Sequence, residues 1–192
     1  MHQDPQTLRG VIAELASVAG ANRSVFALAA SHFGSTPEPE ATLPTGFDER
    51  AARLFEVILE SAYLVAVADG AFDADEEAVF AQIVALASAG CVPQAALGML
   101  IEDFRSELER QGLDARIAAI AKALGNPEQA EEVLRVATLL GVASQDLAPQ
   151  EVSVLQKLTA ACGLSRASLD NAIERARAVL TAPNPSGTTP AS

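Results

Sequence analysis

A chain of 192 residues is long enough for one domain with a sizeable core and too short to hold two large ones. Apolar residues make up 49% of it, aromatics only 4%, and tryptophan is absent, so the core must be built from Ala, Leu, Val and Ile, a mixture that favours helix over sheet. The formal charge of -12 argues against a nucleic-acid backbone or an anionic membrane as the main partner, because either would repel the chain, and fits a cation or a basic protein surface better.

Residues 1–34 read as an N-terminal helical segment of one or two helices. In "TLRGVIAELASVAG", Leu8, Val11, Ile12, Leu15 and Val18 recur at helical spacing. Asn22 suits the N-cap of a second piece, "RSVFALAASHFG", that ends at Gly34. His32, near that end, is favoured there by the helix dipole and needs no catalytic role. The segment lacks a basic leader, and Glu14 and Arg23 interrupt its apolar stretch, so a cytoplasmic location is expected. Residues 35–46, "STPEPEATLPTG", carry three prolines and no apolar period and read as a linker.

Residues 47–180 read as a series of helices forming the main domain. The first lies in "DERAARLFEVILESAYLVAVADG", with Leu54, Val57, Ile58, Ser61, Tyr63, Leu64 and Val67 on a broad buried face. The next begins near Ala74 and ends near Gly90. Pro93 opens "AALGMLIEDFRSELERQ", and "LDARIAAIAKALG" stops at Gly125. Asn126 and Pro127 form an N-cap and first-turn pair for "PEQAEEVLRVATLLGVAS". "APQEVSVLQKLTAACG" and "SRASLDNAIERARAVL", the latter capped by Ser165, close the series. Ala78 to Ile101 carries no charge for long enough to span a bilayer, but Gly90 and Pro93 cut it and acids flank both ends, so two buried helices are expected and no direct membrane insertion. Cys91 and Cys162 lie far apart with no CxxC or histidine neighbour, which excludes a zinc ribbon and suggests two small reduced core residues. Residues 181–192, polar and Pro-rich, are expected to be a disordered tail.

Sliding the chain against itself by seventy-five positions brings "SAYLVAVADGAFDADEEAVFAQIV" over "VATLLGVASQDLAPQEVSVLQKLT". Ala62 meets Ala137, Leu64 meets Leu139, Val67 meets Val142, Glu76 meets Glu151 and Val79 meets Val154. The unit is a helix, a short turn and a second helix. In the first copy the turn is strongly acidic. Asp73 at the N-cap and Glu76 three residues on make a capping-box analogue, and the helix dipole accommodates Asp75 and Glu77. Asp69, just before Gly70 at a helix C-terminus, stands where a negative charge is unfavourable, so capping does not explain it. An EF-hand is excluded, because a calcium loop ending at Glu76 would place Val65 and Val67 at its first and third ligand positions. What remains is half a shell for a hard cation. Asp69, Asp73 and Glu76 are the first-choice ligands and Glu151 the candidate from the second turn, with Ca2+, Mg2+ or Mn2+ favoured over Zn2+ because no histidine or cysteine is near.

Two helix pairs, the first turning through "ADGAFDADEE", resemble the tellurite-resistance TerB-like family, which also includes the membrane-proximal domain of some J-domain co-chaperones. The match covers roughly residues 50–180. The resemblance implies an all-α helical bundle built from two helix-pair repeats, here with an extra N-terminal helical segment. It also implies a link to bacterial stress and tellurite resistance, divalent metal held by acids of the two matching turns, and no enzymatic activity. In the second turn Ser144 and Gln145 replace Asp69 and Gly70, so only Glu151, and Asp146 one step out of register, carry charge there. No phosphate loop and no Gly-x-Ser-x-Gly turn is present. The expected function is a non-enzymatic module that binds a divalent cation and a protein partner. Its rival is a metal-free adaptor, with the acidic turn only a helix cap and binding through the N-terminal helices or "EDFRSELERQ".

Overall fold

The computed structural model describes residues 5–16, 25–35, 48–70, 72, 74–144 and 147–181. Among them are nine helices and no strand: α1 (Pro5–Ala16), α2 (Val25–Gly34), α3 (Glu49–Ala66), α4 (Ala74–Ala87), α5 (Gln94–Gln111), α6 (Leu113–Ala123), α7 (Pro127–Ser144), α8 (Pro149–Ala161) and α9 (Arg166–Thr181). The predicted cap Asn22, most of the Pro-rich linker and the tail beyond Thr181 lie outside the described residues.

The two helices that correspond in the repeat, α3 and α7, pack against each other at the centre of the bundle. Ala62 and Ala137, equivalent in the two copies, are both fully buried, as are Ile58, Val65 and Val136. Small residues let the helices approach closely. At Gly141 an added Cβ would stand 3.0 Å from methyl groups of both Val65 and Leu147, so a larger residue there would require these side chains to give by a few tenths of an ångström.

Local chemistry sets the helix ends. Asp48 caps α3, its carboxylate accepting from the Arg50 and Ala51 amides. Asn126 accepts from the Gln129 amide at 2.9 Å and Ser165 from the Ser168 amide at 3.1 Å, as the sequence leads one to expect. The uncharged run from Ala78 to Ile101 resolves into α4 and α5, separated by a turn with Gly90 at φ 74. Among the described residues no helix is long and apolar enough to cross a membrane.

The N-terminal helices pack on the body: α2 lies along α3, and α1 contacts α4, α7 and α9. Polar anchors secure them. The Glu132 carboxylate of α7 accepts the Phe26 amide at 3.0 Å in the first turn of α2, where an orphan N–H needs a partner. Arg135 grips Glu132 in turn and donates to the Glu14 carbonyl of α1 at 2.9 Å. At the other end of α2, a Cβ on Gly34 would lie 2.0 Å from the Cys91 carbonyl oxygen, so only glycine permits this contact. His32 has a structural role: its Nδ1 accepts the Asp48 amide at 2.9 Å, tying the end of α2 to the start of α3.

Both cysteines are free thiols, but the expectation that both sit in the core holds for neither fully. Cys91 lies in the turn after α4 and is exposed, because the turn presents its carbonyl, not its side chain, to Gly34. Cys162 is half-buried, and burial pushes its thiol pKa up. At neutral pH a maleimide should therefore label Cys91 well before Cys162 in the native protein, with the two rates converging in denaturant. Mass spectrometry of quenched time points checks this.

Candidate functional site

The acidic turn grows out of the last residues of α3. Val67 donates its amide to the Tyr63 carbonyl, Ala68 to Val65, and Gly70, at φ 84, to Val67. This tight reversal leaves Asp69 exposed at the α3 C-terminus. Phe72 anchors the turn to both helices: its ring meets Tyr63 of α3 edge-on at 5.6 Å and Phe80 of α4 edge-on at 6.0 Å. Asp73 lies outside the described residues. Glu76 is in the first turn of α4, with its side chain outside them as well.

Glu77, next on α4, is committed elsewhere. Its carboxylate accepts from Arg105 Nη2 of α5 at 2.9 Å. Burial raises the pKa of the Tyr63 phenol, and the Arg105 charge works in the opposite direction. Burial works against the Arg105 charge, but Glu77 and Glu102 raise its pKa overall. Arg105 thus ties the start of α4 to α5 and engages one oxygen of the Glu77 carboxylate. Nothing in the sequence announces this, since the partners stand twenty-eight residues apart.

In the second turn, Gln145 and Asp146 lie outside the described residues. Glu151, third residue of α8, is only 6% exposed. Its Oε2 accepts the Ala148 amide at 2.6 Å, and its Oε1 stands 3.9 Å from where a Cβ on Gly141 would be. This is one half of a capping box; Ala148 has no side-chain acceptor to supply the other.

The end of α3 and the first turn of α8 come together. Leu64, Val67 and Ala68, at the end of α3, line the same groove as Pro149 and Gln150 of the first turn of α8, with a volume of about 510 Å3. Among the described residues no three His, Cys, Asp or Glu side chains converge as a metal site. The donors that the turns offer are carboxylate oxygens, which suit a hard cation. Cys162 lies beyond the far end of α8, about 20 Å along the helix axis at 1.5 Å per residue, so thiolate does not enter the set.

A family model described as tellurite resistance protein TerB matches residues 58–175, from the middle of α3 into α9. The chain belongs to the TerB family. Comparison with curated proteins and with solved structures finds no match. The TerB match includes both equivalent turns, the second half of α3 and all of α7, and it begins after α1, α2 and the first half of α3. The N-terminal helices therefore pack on the TerB bundle from outside the matched region.

Proposed function

We propose that this TerB protein works by binding rather than by catalysis, as a cytoplasmic module in a stress response that takes up a hard divalent cation at the turn after α3 and engages a protein partner. Asp69, Asp73 and Glu76 would hold the cation, with Glu151 contributing from the second turn and water completing the shell. The observation that supports this reading is that the end of α3 and the first turn of α8 line one groove, with Asp69 next in the chain to the groove residue Ala68 and Glu151 next to Gln150. Electrostatics supports it: a carboxylate at a helix C-terminus opposes the dipole, and a bound cation reverses that penalty.

One observation favours the metal-free alternative. Glu151 is buried and already spends Oε2 on the Ala148 amide, as a helix cap does. On that reading the turns are structural and the protein is an adaptor.

Tyr63 distinguishes the two. It is the single tyrosine in a chain without tryptophan, and it packs on Phe72 within the acidic turn. Adding Ca2+, Mg2+ or Mn2+ to chelator-stripped protein should produce a saturable change in tyrosine emission. A flat titration with all three ions would leave the adaptor reading.

A further inference from the structure

The groove at the junction of α3, α5, α6 and α8 has a second property in the cation-free protein. Its walls are apolar where the helices meet: Val67, Leu108 and Leu113 are half-buried along one side. On the other side Pro149, Ser153 and Lys157 recur at every fourth position of α8 and are exposed, a ridge about 12 Å long at 1.5 Å per residue. Ser153, at the middle of that ridge, is small enough to let another backbone come close. A trough with an apolar wall, a helical ridge opposite and a small residue at mid-length has the form that receives the apolar face of a helix.

Charge selects the kind of helix. Lys157 is the cation among the groove residues, and it is matched by Asp114 at 2.6 Å, so that wall is electrically balanced. Asp69, directly after the groove residue Ala68, adds an exposed carboxylate at the α3 end, and the whole chain carries -12. An acidic helix would be repelled and a basic one drawn in. We propose that in the cation-free protein this groove is the docking site for a basic amphipathic helix of a partner protein, which lays its apolar face between α8 and the α5–α6 corner with its basic flank toward Asp69.

The test uses the chelator-treated 192-residue protein and two synthetic amphipathic helices of equal length, one of Leu and Lys and one of Leu and Glu, followed by isothermal titration calorimetry. The Leu/Lys helix should bind saturably and the Leu/Glu helix should not. Ser153→Trp, which fills the trough, and Ser153→Arg, which repels a basic helix, should each weaken binding by about tenfold or more, whereas Ser153→Ala should leave it within about twofold. Position 153 is exposed, so circular dichroism should find all three variants folded. Equal binding of both peptides, or Leu/Lys binding indifferent to both Ser153→Trp and Ser153→Arg, would overturn the proposal. So would a concentration-dependent dimer abolished by Ser153→Trp, which would assign the groove to a second copy of the chain.

Discussion

Arg116→Ala should destabilise the protein by about 3 kcal/mol, the usual cost of stripping one partner from a buried ion pair. The pair joins α6 to α3 through two bonds, Nε to Glu60 Oε1 at 2.6 Å and Nη2 to Glu60 Oε2 at 2.9 Å. Glu60 is only 6% exposed, so without Arg116 its carboxylate has little water to turn to. The same guanidinium reaches Glu107 and Gln111 of α5, and the Glu60 bond holds its pKa above the usual value. Differential scanning calorimetry should find the unfolding midpoint lower by roughly 6–12 °C for a chain of this size. Replacing both partners, as in Glu60→Leu with Arg116→Met, should recover most of the loss, because two apolar residues of similar volume avoid the stranded charge. A fall of about 1 °C for Arg116→Ala would place the pair among ordinary surface bridges.

Phe55→Ala should cost about 3–5 kcal/mol, the range for emptying a buried aromatic site. Phe55 is fully buried on α3 and packs at a tilt against two aromatics of α2, with ring centroids 5.6 Å from Phe26 and 5.0 Å from Phe33. The loss should have a position as well as a size. Hydrogen exchange should show the amides of α2 losing protection more than those of α8, since the cavity opens at the α2–α3 contact. Leu86→Ala serves as the control: at 51% exposure it should change stability by no more than about 0.5 kcal/mol. Equal loss of protection in α2 and α8 would mean that the N-terminal helices have no separate dependence on Phe55.

What could be read from the sequence was local or periodic. The pairing of Ala62 with Ala137 and of Leu64 with Leu139 identified two equivalent helices, and those helices form the centre of the bundle. Asn126 and Ser165 act as caps because an N-cap bond spans only three residues. The missing parts are contacts between residues distant in the chain. Glu132 satisfies an amide of α2 across 106 positions, and Glu60 meets Arg116 across 56, with no periodic signature to betray either. Cys91 misled for another reason: the lack of a CxxC or histidine partner suggested a small core residue, but the turn after α4 faces its carbonyl inward. Of the four candidate ligands, Asp69 and Glu151 have described side chains, and their settings differ in a way that composition could not reveal, one exposed and one buried as a cap.

The central claim, that the acidic turn of this TerB protein holds a divalent cation, is tested most directly by thermal unfolding followed with far-UV circular dichroism. Chelator-treated protein is compared with protein given Ca2+, Mg2+ or Mn2+, and the series is repeated on Asp69→Asn. A cation at about a hundred times its dissociation constant adds roughly 2.7 kcal/mol to the folded state. That should raise the midpoint by about 5–10 °C in the wild type and leave Asp69→Asn unmoved. An unchanged midpoint with every ion, or an equal rise in Asp69→Asn, would contradict the claim and leave the turn as a helix cap.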